Sequence, residues 1–207
     1  VSELSDASRR QIDQVAIQGF ANYFGQQRFG SRQDNLQQAL RQLTTRKLSR
    51  SRRGLLISSL RSHLFNAILA RRLELGHWSE PLDGDVFMLR GSHSIFSEAV
   101  NADLLRRYRE LDISSCASLY GSGAVRMSST PLAIEQKVFD ENRLITECLQ
   151  QQRSRLQMRP LRAVADSFDY VYDAADEVLD IDMCLPTGSY ATSLLNHFAI
   201  LRDASSR

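Results

Sequence analysis

A chain of 207 residues and 23.5 kDa is long enough to bury one good core or two small ones. Its composition, 43% hydrophobic and 24% charged, is that of an ordinary soluble globular protein. No apolar run approaches the ~20 residues a membrane-crossing helix needs, and the start lacks the charged-then-apolar layout of a signal peptide.

The formal net charge of +2 conceals an uneven distribution. Of 26 basic residues only Lys47 and Lys137 are lysine. Between Asp34 and Glu74 there is no acid, while Arg41, Arg46, Lys47, Arg50, Arg52, Arg53, Arg61, Arg71 and Arg72 fill the window. From Ala163 to Leu201 there is no Lys or Arg, yet Asp166, Asp169, Asp173, Asp176, Glu177, Asp180 and Asp182 appear. Such asymmetry suggests one face meant for a polyanion and another that is merely solvated. Cys116, Cys148 and Cys184 are odd in number and far apart, with no C-x-x-C, so neither a disulfide framework nor a zinc site is suggested. A cytoplasmic protein with buried free thiols is expected.

In chain order, Ser5 caps a helix running to about Gln18, with Ile12, Val15 and Ala16 facing in and Gly19 as its stop. Asn22-Tyr23-Phe24-Gly25-Gln26-Gln27-Arg28-Phe29-Gly30 then fits neither a helix stripe nor a strand alternation. Its glycines permit φ > 0 or close approach. Its aromatics offer flat apolar surface, and Arg28 a planar donor fork suited to phosphate or carboxylate. A simple elbow between helices would use the same rings as core. A second helix is predicted from Gln33 to Leu43, on Leu36, Leu40 and Leu43. A polar connection over 44–54 leads to the longest helix, Leu55 to Leu75, whose stripe is Ile57, Leu60, Leu64 and Ile68. At ~100° per residue Arg61 and Arg72 fall about 20° apart, as one basic edge beside that stripe. His63 and His77 read as surface or capping groups rather than ligands.

Residues 80–85 form a turn in which Asp83 and Asp85 are caps rather than an acid–base pair. A short strand over 86–89, a loop over 91–94 and a helix near Ala102 to Leu111 follow. A glycine-bearing loop leads through Leu119 to Gly123, and a helix runs from Pro131 to Gln151. Beyond Pro160, Phe168, Tyr170 and Tyr172 alternate with polar residues, as do Val178, Leu179, Ile181 and Met183 less strictly. That pattern predicts a β-hairpin turning near Ala174 to Asp176, with aspartates on its outward face. Pro186 and Gly188 end the second strand, and a closing helix starts near Ser189. There the N–H groups of Ser189, Tyr190 and Ala191 would favour an anion. The tail from Asp203 reads as frayed.

The segment Asn22 to Gly30, with Asn35 five positions further on, resembles the signature of the tRNA pseudouridine synthase D (TruD) family. Leu185-Pro186-Thr187-Gly188-Ser189-Tyr190-Ala191-Thr192-Ser193 resembles a second signature of the same family. The resemblance covers almost the whole chain and implies an α+β fold. It comprises part of a catalytic domain with a mixed, mainly antiparallel sheet, and an inserted, mostly helical α+β domain. Residues 1–21 and 138–207 would belong to the catalytic domain and 22–137 to the insert. The implied reaction isomerises a uridine of tRNA, typically at position 13, to pseudouridine, with no metal or organic cofactor and no membrane partner. Tyr190 would line the uridine pocket, where one base–aromatic stack contributes ~1–3 kcal/mol. Arg28, Arg50, Arg52, Arg53 and Arg61 would meet the RNA, tRNA being the expected partner.

In one respect the chain departs from that pattern. The family's nucleophilic aspartate lies in a Gly-x-Lys-Asp type motif, and no Lys-Asp pair occurs in these 207 residues. No catalytic residue is therefore assigned here. The nucleophile is expected upstream of Val1, and the chain alone is expected to be inactive. The competing readings are a non-catalytic RNA-binding protein and an interaction domain whose arginines meet acidic protein partners.

Overall fold

The structure, a computed structural model, describes residues 4–29, 35–45 and 47–201. The expectations for Gly30, for a helix start at Gln33 and for the tail lie outside these residues. Helix α1 (Asp6–Gln18) is capped by Ser5, whose hydroxyl accepts the Ser8 N–H at 3.1 Å. It ends at Gly19, φ 74°. A Cβ there would lie 2.4 Å from the Ala163 carbonyl oxygen, so glycine is required by conformation and by crowding. Ile12 and Val15 are buried, but Ala16, expected inside, is exposed. The buried stripe of α1 is only one i,i+3 pair wide. Strand β1 (Phe20–Ala21) follows directly.

Helix α2 (Asn35–Thr45) packs on α3 (Arg50–Glu74), the longest element at 25 residues. α3 begins five residues before the predicted Leu55. The Ser49 hydroxyl caps it, accepting the Arg52 N–H at 3.3 Å, so Arg50, Arg52 and Arg53 lie on its first turn and not in a connection. Leu60, Leu64, Phe65, Ile68 and Leu69 are fully enclosed along its inner face.

β2 (Phe87–Leu89), β3 (Ile95–Phe96), β4 (Ile113–Leu119) and β5 (Gln157–Pro160) make an antiparallel sheet ordered β3-β2-β4-β5. α4 (Ala102–Arg109) leads into β4. β4, absent from the sequence prediction, is the central strand. Six of its seven residues are buried, so it lacks the alternation that marks a half-exposed strand. The predicted helix from Pro131 to Gln151 is two, α5 (Ser129–Glu141) and α6 (Arg143–Gln151), broken at Asn142 (φ −114°, ψ 38°). Both pack against α3, so residues 129–160 close the layer that α3 and β4 build.

β6 (Arg162–Ala163) pairs antiparallel with β1, Phe20 opposite Ala163. β7 (Ser167–Asp173) and β8 (Val178–Cys184) form the predicted hairpin, with Asp169, Asp173, Asp180 and Asp182 on the exposed face. Cys116 and Cys148 are buried, but Cys184, expected to be buried as well, is exposed because it falls on that outward face. α7 (Ala191–Leu195) closes the described chain. Among the described residues no helix is long and apolar enough to cross a membrane.

The expected basic edge of Arg61 and Arg72 is not formed. Arg72 is buried and pairs Nη1 and Nη2 with the two carboxylate oxygens of Asp85, each at 3.0 Å. Its Nε donates to the His77 carbonyl at 2.8 Å. Asp85 also accepts the Leu82 N–H (2.9 Å) and the Ser115 hydroxyl (2.8 Å), so it caps the turn, as expected, while anchoring α3 to the sheet. The ion pair is fully enclosed and fully bonded, the case in which loss of one partner strands a buried charge. Asp85→Ala is therefore expected to lower unfolding free energy by about 3–5 kcal/mol. The double variant Arg72→Met/Asp85→Leu should lose less than Asp85→Ala, as measured by urea midpoints.

Candidate functional site

The two signature segments, distant in sequence, touch along their length. Ser193 Oγ donates to the Tyr23 carbonyl at 2.9 Å, and Ser189 Oγ lies 3.5 Å from Asn22 Oδ1. A Cβ on Gly25 would stand 2.8 Å from a Tyr190 ring carbon and 3.1 Å from Thr192 Oγ1, so glycine is what lets them meet. Arg159 joins them. Its Nη2 donates to Asn22 Oδ1 (2.6 Å), to the Asn22 carbonyl (3.1 Å) and to the Gly188 carbonyl (3.0 Å). Its guanidinium carbon sits 4.0 Å from the centroid of the Phe24 ring. Burial pulls the Arg159 pKa down to about 10, with Tyr190 opposing, so the side chain remains charged at neutral pH. Nη1 has no protein acceptor among the described residues.

Phe24 is the hub of this contact. Its ring meets Phe65 (5.6 Å) and Tyr190 (6.0 Å) edge to face, and the Arg28 guanidinium lies 5.7 Å from its centroid. Its backbone exchanges two 2.9 Å bonds with the Asn66 amide of α3.

Beside this contact opens a cleft of about 740 Å³. One wall is the β2–β3 hairpin with Arg90 and His93. The other carries Asn22, Arg159, Asp166, Pro186, Thr187 and Ser189. Arg162 lies at its base but is buried and committed, donating to the Tyr108 (2.9 Å) and Ile113 (2.8 Å) carbonyls. Arg90 reaches across the mouth to the Ala165 carbonyl at 3.2 Å and to Asp166 at 3.5 Å. Among the described residues Arg90, Arg159 and His93 thus line the cleft with one carboxylate, Asp166, which Arg90 meets.

Residues 32–198 match the family description "tRNA pseudouridine synthase D (TruD)". This chain belongs to the TruD family. It is 33% identical over 196 residues to the tRNA pseudouridine synthase D of Nitrosococcus oceani, covering 93% of this chain and 55% of that protein. It is 36% identical over 184 residues to that of Methylococcus capsulatus, covering 87% and 52%. The chain therefore spans about half the length of these relatives. In fold it is similar to the crystal structure of a putative TruD from Methanosarcina mazei, with a TM-score of 0.63 at 19% identity, covering 92% of this chain and 63% of that one.

Within this TruD chain the sequence-assigned residues fall into two groups. Tyr190 and Arg28 meet at Phe24. Tyr190 is half-buried and does not line the cleft, although its neighbour Ser189 does. Arg28 Nη2 donates to Ser58 Oγ on α3. Arg61 donates through Nη2 to the Leu119 (3.0 Å) and Arg155 (2.9 Å) carbonyls, and burial pulls its pKa below the ordinary value. Arg50, Arg52 and Arg53 stand exposed at the start of α3, away from the cleft. Of the expected anion corner at Ser189 to Ala191, the Ser189 N–H is taken by the Pro186 carbonyl at 3.0 Å, and Tyr190 stands at the N-cap of the five-residue α7. Arg159, Arg90 and the position of His93 carried no local signal, because what distinguishes them is long-range contact.

One histidine ties this corner down. His197 Nε2 accepts the Ala21 N–H at 2.8 Å, and burial pulls its pKa below the ordinary value. A depressed histidine favours the neutral form in the fold. Its contribution is therefore present above the ordinary pKa near 6.5 and lost as pH falls below it. Unfolding free energy should drop between pH 7.5 and 5.5, and less so in His197→Gln, whose amide oxygen can still accept. His63 shifts in the same direction, so the difference between the two proteins is the readout.

Proposed function

We propose that this chain is the RNA-holding part of a tRNA pseudouridine synthase, acting in the cytoplasm on a uridine at position 13. The observation that carries this reading is the Arg159 clamp, which sets both TruD signature segments at the edge of one cleft. The cleft volume, about 740 Å³, lies within the roughly 300–1,000 Å³ of pockets that enclose a small ligand, and so can take an extruded nucleotide. In the reaction the bond from uracil N1 to the ribose C1′ breaks, the base turns, and a bond from C5 to C1′ forms as C5 gives up its proton and N1 takes one up. No atom is gained or lost.

The residues of this chain would bind and orient rather than attack. The Arg159 Nη1 group and Arg90 would take phosphate or uracil oxygens, and His93 would close the mouth. Tyr190, beside the cleft rather than in its lining, would offer the open part of its ring to a base at the cleft edge. Arg28 and Arg61 would fasten the wall to α3, and Arg50, Arg52 and Arg53 would meet phosphates. Asp85 is buried and held by Arg72, Asp83 accepts the Val100 N–H at 2.8 Å, and neither lines the cleft. The nucleophilic aspartate would come from residues outside this sequence.

The domain division follows, with residues 1–21 in the catalytic domain and the insert beginning at Asn22. The return to the catalytic domain is proposed at about residue 138, and the pairing of β6 with β1 supports one unit built from both catalytic stretches. The second reading, a non-catalytic RNA binder, shares every contact except turnover.

The 207-residue chain should bind tRNA and leave its uridines unchanged, whereas protein that also supplies a Lys-Asp segment should convert them. Arg50→Gln/Arg52→Gln/Arg53→Gln should make the plot of log affinity against log salt shallower by about three. Turnover by the chain alone, or an unchanged slope, contradicts the assignment.

A further inference from the structure

The exposed arginines of this chain divide in two. Arg71, Arg90, Arg106, Arg107 and Arg143 each pair with a carboxylate. Arg50, Arg52, Arg53, Arg153 and Arg155 are exposed and pair with none among the described residues, and the same is true of Arg9, Arg10, Arg41, Arg109 and Arg126; what sets the first five apart is that they come from two runs that meet. Although about 100 positions separate the two runs, they lie together. Arg53 Nε donates to Gln152 Oε1 at 2.9 Å, and Arg61 Nη2 holds the Arg155 carbonyl at 2.9 Å.

The backbone that presents Arg155 is held unusually firmly. The Ser122 N–H donates to the Ser154 carbonyl at 2.7 Å, and the Leu156 N–H donates to the Ser122 carbonyl at 2.9 Å. Gly121 lies so close that a Cβ would stand 2.5 Å from the Arg155 carbonyl carbon. The Gly121-Ser122-Gly123 turn therefore serves as a cradle for residues 154–156. Arg155 on this braced backbone, and Arg153 two residues before it, are exposed beside the start of α3.

We propose that Arg153 and Arg155, with Arg50, Arg52 and Arg53, form a ridge that docks the phosphate backbone of an RNA duplex next to the cleft. The proposal rests on the RNA-binding reading above. The ridge begins at the cleft edge, where Leu119 and Gln157 line the cleft and Arg61 bonds the Leu119 carbonyl. From Arg61 back to Arg50 is eleven residues of helix, about 16 Å. A duplex, rather than an unpaired strand, suits its chemistry. Single-strand sites stack bases on aromatic rings, and the ridge residues carry none. The nearest ring, Tyr120, packs edge-on against Phe139 at 4.9 Å and accepts a Gln150 hydrogen bond at 2.8 Å. Charge without stacking positions a backbone and reads no sequence.

The test compares wild type, Arg153→Gln/Arg155→Gln and the control Arg106→Gln on two RNAs. One is a stem–loop with a uridine in its loop, the other a short unstructured strand with a central uridine. For the double variant, stem–loop affinity should fall about tenfold at 100 mM salt and its salt slope become shallower by about two. Short-strand affinity should be unchanged, and the control should match wild type on both. Wild-type stem–loop binding that the double variant retains in full overturns the ridge and leaves the RNA reading standing. Equal losses on both RNAs also overturn it, since the arginines would then serve the cleft. Failure of wild type to bind either RNA overturns the RNA reading, and the ridge with it.

Discussion

The local order of the site depends on one half-buried cation. Arg159 reaches Asn22 and Gly188 through a single nitrogen while its plane covers Phe24. Hydrogen bonds from a charged donor contribute about 1.5–3 kcal/mol, and a desolvated cation–π contact about 2 kcal/mol. Such terms are strengthened where the group is partly shielded from water, and the shielded part is held by several partners at once. The consequence is geometric. Two loops already in contact through Ser193 and Tyr190 are fastened further as one wall of the cleft.

Arginine serves two purposes in this chain, and enclosure separates them. Arg28, Arg61, Arg72, Arg159 and Arg162 bond serines, backbone carbonyls or an aspartate inside the molecule. The planar fork suits this work, since several acceptors can be met by a group that loses little freedom in each bond. The exposed arginines at the start of α3 and after α6 keep their charge for solvent or a partner. The preference for arginine over lysine thus reflects internal architecture as well as any polyanion.

Local rules carried the reading where local forces dominate. The Ser5 cap, the Gly19 stop, the α3 stripe and the β7–β8 alternation follow from side-chain spacing, and all are present. β4 was hidden because burial on both faces erases periodicity, and the α5–α6 break at Asn142 because no proline or glycine marks it. Arg72 shared a helical edge with Arg61 in projection, but the β2 end placed Asp85 against it. The two signature segments were visible as motifs. The residue that unites them was not, because Arg159 is defined by partners about 30 and 137 positions away.

The most direct measurement is amide hydrogen exchange on Arg159→Gln, followed at Phe24, Ser189 and Ser193, whose N–H groups are bonded in the fold. If Arg159 makes one wall of two segments, protection at all three falls together while amides of α3 keep theirs. Unchanged protection, or a loss confined to one segment, would contradict the clamp.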